Sequence, residues 1–211
     1  MSTSLRLVGD PEADRLLTAN PFALLVGMLL DQQIPMEVAF AGPRKLAERL
    51  GTVDPAMIAA MDPEEFVTVC ATPPAVHRFP ASMGRRVHEL ASSIMRTYRG
   101  DTEAIWTEGD PDGALVLKRL KALPGFGDQK AKIFLALLGK QCDLQAPGWR
   151  EAAGDYGDDD ARMSIADVVD DDTMAQVRAW KREKKAAAKA AKAAKPAAAQ
   201  HKPAQQHPAQ Q

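Results

Sequence analysis

Leu123-Pro124-Gly125-Phe126-Gly127, followed without a break by DQKAKIFLALLGK from Asp128 to Lys140, decides the fold. Two glycines around one aromatic permit a turn tight enough to leave successive backbone N–H groups facing outward. Asp112–Ala122 reads as the helix that enters this turn and Asp128–Leu138 as the helix that leaves it, stopped by Gly139. The unpaired N–H groups and positive dipole end of the second helix then face the turn, where a phosphate oxygen can sit without any base contact. The five residues alone serve an ordinary turn between antiparallel helices equally well, so the rest of the chain has to decide.

Outward from the turn, the pattern stays helical. Asn20 before Pro21 reads as a cap with proline at the first position of a buried helix, Phe22–Leu30, which ends on polar Asp31, Gln32 and Gln33. Met36–Leu50 resumes the periodicity until Gly51, and Asp54 and Asp62 each precede a short helix, at 54–60 and 63–70. Ser82–Tyr98 places Met83, Val87, Leu90, Ala91, Ile94 and Met95 on one face, so Arg85, Arg86 and Arg96, like His77 and Arg78, are assigned to the wet side rather than to a site. Glu151–Asp172 carries nine carboxylates and reads as an acidic loop with one short helix near Ser164–Val169. Thr173–Lys195 is built of helix formers, and Pro196–Gln211 is low-complexity sequence expected to be disordered.

Composition narrows the class. Of 211 residues 45% are hydrophobic but only 5% aromatic, and the apolar set is mostly Ala, Leu, Val and Met, which favours an all-α body. The net charge of −1 hides an asymmetry: residues 181–211 hold eight Lys or Arg against one Glu, a net +7, so the first 180 residues carry −8. A basic arm on an acidic body suits a polyanion, although a solubilising tail has the same composition. Cys70 and Cys142 stand too far apart to suggest a disulfide framework, a zinc site or an iron-sulfur cluster. No leader pattern opens the chain and no apolar run reaches the roughly 18 residues of a membrane span. A cytoplasmic protein with no membrane partner is expected, nucleoid-associated if bacterial.

The segment LPGFGDQKAKIFLALLGK resembles the helix-hairpin-helix of the HhH-GPD superfamily of base-excision DNA repair glycosylases. NPFALLVGMLLDQQIPMEVAFAGPRKLAERLG resembles that family's helix pair at the DNA cleft, and HRFPASMGRRVHELASSIMRTYRG the helix before the hairpin. The resemblance runs over roughly residues 18–140. It implies double-stranded DNA as partner, with contacts from Gln32, Gln33, Leu123, Gly125, Phe126, Gly127, Gln129 and Lys130, and with Gln33 filling the gap left by an extruded base. It also implies no cofactor, apart from a monovalent cation that turn carbonyls around Leu123 and Phe126 can hold.

The chain departs from the family at the chemistry. Bifunctional members carry a lysine nucleophile two residues after the second hairpin glycine, where this chain has Gln129. Lys130 is its neighbour, but a helix turns about 100° per residue, so its amine does not inherit the role, and no strand-cleaving lyase activity is expected. Family spacing puts the carboxylate that stabilises the cationic sugar near Ala146 or Pro147, neither of which can act, and Asp143 is the nearest acid. Asp143 is accordingly the catalytic candidate, against the plainer role of a surface residue after a helix. Trp149 serves equally as a stacking surface for a flipped base or as an anchor for the acidic loop.

The expectation is an all-α, two-lobed helical bundle over residues 1–172 containing the helix-hairpin-helix, with a basic tail over 173–211. Its function is that of a monofunctional DNA glycosylase, hydrolysing the N-glycosidic bond of a damaged base. A catalytically inactive lesion-sensing protein on the same scaffold is the rival, favoured by the missing lysine and displaced carboxylate. A helical interaction protein with a purely structural hairpin is the third reading.

Overall fold

Aspartate and asparagine caps followed by proline start most of the early helices. The computed structural model describes residues 4–194, and every regular element among them is helical. In α1 (Pro11–Ala19) the Asp10 side chain accepts from the N–H groups of Glu12 and Ala13, both at 3.0 Å. Asn20 does the same for α2 (Pro21–Leu30), accepting from Ala23 N–H at 2.9 Å, and every residue from Phe22 to Leu30 is buried. Asp54 caps α5 (Pro55–Ala60) and Asp62 caps α6 (Pro63–Ala71). Each cap of this type contributes about 1 kcal/mol, and each fixes where the chain turns.

The single helix expected over Met36–Leu50 is two, α3 (Met36–Phe40) and α4 (Gly42–Leu50). Pro43 has no N–H to give the carbonyl of Ala39, and Gly42 sits so close to α2 that a Cβ there would fall 2.4 Å from Leu30 Cδ1. Gly51, at φ 78°, ends α4 as expected. The amphipathic helix α7 (Pro80–Tyr98) starts two residues earlier than its periodicity suggests, because Pro80 takes the first helical position. Its buried Met83, Val87, Leu90, Ala91 and Ile94 pack against α5 and α6, closing the first lobe.

The second lobe is α8 (Ala104–Thr107), α9 (Gly113–Lys121), α10 (Asp128–Gln141) and α11 (Trp149–Ala153), with two 3-10 turns at Gly154–Gly157 and Ile165–Asp167. Phe126 meets Phe134 edge-on, with ring centroids 6.0 Å apart, and Phe134 meets Trp106 at 6.1 Å. Gly139 does not stop α10. It is the place where Trp149 lies on the helix, since a Cβ there would fall 2.4 Å from the indole ring. On the other side of the same crossing, a Cβ on Gly113 would meet Trp149 Cα at 2.3 Å. Trp149 is therefore an anchor between α9 and α10.

The acidic stretch is not a solvated loop. Its Asp167 is buried and pairs with Lys140 of α10 at 2.6 Å, while Ser164 and Asp167 form a capping box around the 3-10 turn that replaces the expected short helix. From there α12 (Asp171–Ala194) runs back to the first lobe, where Arg178 pairs with Glu37 at 2.6 Å. The expected disorder of Pro196–Gln211 falls outside the described residues. No single helix among them is long and apolar enough to cross a membrane.

Candidate nucleic-acid cleft

The turn between α9 and α10 depends on one of its two glycines. Gly125 adopts φ 78°, a left-handed conformation that costs other residues about 1 to 2 kcal/mol, and packs on α2, where an added Cβ would sit 2.4 Å from Leu29 Cδ1. Gly127 is different: its φ is −76°, open to any residue, and a Cβ there would meet nothing within 4 Å. The fold does not need a glycine at 127. It is the N-cap of α10, with no side-chain cap, in contrast to the Asp and Asn caps of α1, α2, α5, α6 and α9. The first N–H groups of α10 are thus left for an acceptor from outside.

Leu123 and Phe126 are buried, so their side chains hold the hairpin to the core and only their backbones reach its surface. The Leu123 carbonyl accepts from Phe126 N–H at 3.1 Å and keeps its second lone pair, as a turn-bound monovalent cation requires. Asp128, in the first turn of α10, pairs with Lys121 at 2.8 Å and Lys132 at 2.9 Å. Hydrogen bonds from these two lysines hold its carboxyl below the usual range, and the local balance at the helix N-terminus stays positive.

Beside the hairpin lies a cavity of about 420 Å³. The end of α2 supplies Met28, Asp31, Gln32 and Gln33, and α10 supplies Gln129, Lys130 and Ile133. Met163 comes from the acidic segment, and Trp180, Lys181, Lys184, Lys185 and Ala188 come from α12. Four of the residues singled out in the sequence, Gln32, Gln33, Gln129 and Lys130, therefore line one cavity, two from the end of α2 and two from the first turn of α10.

Gln32, Gln129 and Lys130 are each held in place by a partner. Gln32 donates to Leu29 O at 3.0 Å and accepts from Arg86 at 3.1 Å. Its own carbonyl accepts from His77 Nε2 at 2.9 Å, a direction fixed because His77 Nδ1 accepts from Phe79 N–H. Gln33 is exposed at φ 59°, a strained conformation for a residue with a side chain, at the tip of the turn between α2 and α3. Gln129 donates to the Tyr156 hydroxyl at 2.9 Å, which ties the position of the family's lysine to the acidic segment.

Lys130 points its amine at α2, donating to Met28 O at 2.7 Å and Leu29 O at 2.8 Å. Burial pushes this ammonium down to about 8, against an opposing pull from Asp31. Below pH 8 it is charged in both folded and unfolded chains, and the cost of burying it is present in full. Between pH 8 and 10.5 the folded protein sheds the proton first, the unfolded chain binds more protons, and stability contributed by this group rises with pH. Urea unfolding of wild type and Lys130→Met should show wild type gaining on the variant by on the order of 2 to 3 kcal/mol from pH 7.5 to 10.5.

Asp143 does not join this group. It is exposed, at φ 55°, just past Cys142 at the far end of α10, about 20 Å of helix from Lys130. Ala146 and Pro147, at the family's carboxylate spacing, are pinned to α9 instead, where Gly113 N–H donates to Pro147 O at 2.7 Å. The thiols are set aside too, since burial pushes Cys70 up to about 12 and Cys142 up to about 11.

His77, Arg86, Asp31, Tyr156, Met163 and Trp180 were not legible as site residues. Arg86 is exposed as expected but holds Gln32, 54 residues away, whereas His77, expected on the wet side, is buried with its ring on the Gln32 carbonyl 45 residues away, and periodicity sees neither partner. The basic row of α12 was legible as a composition, but its place along the cleft was not.

No curated protein and no solved structure matches the chain. The family model for the HhH-GPD superfamily base excision DNA repair protein matches residues 26–197, from α2 through the hairpin and the whole of the cleft. The chain belongs to the HhH-GPD superfamily of base-excision DNA repair proteins.

Proposed function

We propose that the chain is a monofunctional DNA glycosylase that grips double-stranded DNA at the hairpin, draws a damaged base into the cavity and hydrolyses its N-glycosidic bond. One observation carries the proposal: three side-chain amides, Gln32, Gln33 and Gln129, line a cavity of nucleobase-accommodating size beside an uncapped helix N-terminus. Amides present both donors and acceptors, as the edge of a flipped base requires, and the open N–H groups suit a phosphate of the strand that delivers it. The lysines of α12 supply a cationic wall along the same cleft, and a monovalent cation at the Leu123 and Phe126 carbonyls fits the same grip.

A Schiff-base route is disfavoured by Gln129 at the nucleophile's position and by the Lys130 amine being engaged with α2 carbonyls. The full chain should therefore release a base from one member of a duplex panel carrying alkylated, deaminated or oxidised bases. It should form no covalent complex with abasic DNA on borohydride reduction. A borohydride-trapped complex would overturn the monofunctional assignment. Tight binding to an abasic duplex with no base released from the panel would leave the second reading, a lesion-sensing protein, which the pinned Ala146 and Pro147 favour.

A further inference from the structure

Breaking an N-glycosidic bond leaves positive charge on the sugar, and an anion within the pocket is the usual way to stabilise it and to activate water. Among the described residues one carboxylate lines the cavity, that of Asp31 at the C-terminal end of α2. Its side chain is 14% exposed. Gln32 and Gln33 adjoin it at the end of α2, and Gln129 and Lys130 of α10 line the same cavity.

Asp31 is poorly explained by structure alone. Its carboxylate takes no hydrogen bond from any described residue, and the nearest cation is Lys181 Nζ at 3.7 Å, too far for a close ion pair. Lys130 is satisfied by the carbonyls of Met28 and Leu29 rather than by Asp31. Nor does the carboxylate help to hold DNA, because it sits among Lys130, Lys181, Lys184 and Lys185 in a wall otherwise suited to phosphate. A half-buried anion with its oxygens unfilled is placed to accept a hydrogen bond from a molecule in the cavity.

We infer that Asp31 is the catalytic carboxylate of this chain, taking from the α2 wall the role that Ala146 and Pro147 cannot perform. The inference rests on the glycosylase reading above. In the step it supports, the C1′–N bond breaks with its electron pair leaving on the base, and water forms the new C1′–O bond. The water proton passes to Asp31, and the departing base is protonated by solvent at the open mouth of the cleft. Overall, one water is consumed and a free base and a sugar hemiacetal are produced.

The test pairs single-turnover base release from the panel duplex that wild type processes with affinity for a duplex holding a stable abasic analogue. Asp31→Asn removes a negative charge from a cationic cleft, so affinity should hold or rise, while release should slow by at least about 100-fold. Asp31→Glu should fall between the two. Asp31→Ser runs in parallel, so that misfolding of one variant, seen in its thermal melt, leaves the other to decide. Release by a folded variant within about threefold of wild type would overturn the inference and leave the glycosylase reading intact. Wild type that binds the analogue yet releases no base from any panel member would overturn both.

Discussion

Replacing Asp167 with alanine should lower the free energy of unfolding by about 3 to 5 kcal/mol, the usual cost of removing one partner of a buried ion pair. Asp167 pairs with Lys140 at 2.6 Å, and the two side chains are only 1% and 10% exposed. The second carboxylate oxygen accepts from Met163 N–H at 2.9 Å and Ser164 N–H at 3.0 Å. Alanine thus leaves a mostly buried ammonium with the Asp158 carbonyl but no counter-charge, and takes the acceptor from two backbone donors. In a chain of this size that is a fall in melting temperature on the order of 10 °C. Adding Lys140→Met should recover part of the loss, because it removes the uncompensated charge, and chemical denaturation of the four proteins in the cycle measures the coupling. The cleft should suffer with the fold, since this pair docks the segment that brings Tyr156 to Gln129 and Met163 to the cavity. A loss below about 1 kcal/mol would mean that the segment is held by its apolar contacts alone.

That ion pair also shows where sequence stops being informative. Nine carboxylates between Glu151 and Asp172 average to a solvated loop, and only a partner on another element, Lys140, makes one of them a core residue. Local signals fared better. The Asn20-Pro21, Asp54-Pro55 and Asp62-Pro63 starts are where the caps are, because a cap is decided within four residues. The same signature, Asp10-Pro11-Glu12, marks α1, a helix absent from the expectation although its signal was equally available. Glycine was ambiguous: Gly51 and Gly139 look alike at the end of a helical run, but one turns left-handed to stop α4 and the other lies under Trp149 inside α10. The candidate site divides along the same line. The hairpin and the Gln32-Gln33 pair are contiguous and were readable. The carboxylate was sought along the chain at Asp143, whereas the acid that lines the cavity, Asp31, lies next to Gln32 at the end of α2 rather than on or after the hairpin helix.

Gly127 allows binding to be separated from folding, and Gly127→Asp should move the two in opposite directions. The backbone at 127 already has the extended conformation of an N-cap, and the site of a new Cβ is empty. An aspartate there can accept from the N–H groups of α10 as Asp54 and Asp62 do in their helices, so stability should hold or rise by a few tenths of a kcal/mol. The same carboxylate fills the position proposed for a phosphate and adds a charge next to Asp128. A charge-assisted hydrogen bond is worth about 1.5 to 3 kcal/mol, so affinity for duplex DNA should fall about 10- to 100-fold. The slope of log affinity against log salt should also become shallower by about one, the signature of a single lost phosphate contact. Gly127→Ala, which adds a methyl group without charge or acceptor, should lose much less affinity than the aspartate. Binding by Gly127→Asp as tight as wild type, with an unchanged salt slope, would remove the hairpin from the DNA interface. It would leave the lysines of α12 to account for any affinity that remained.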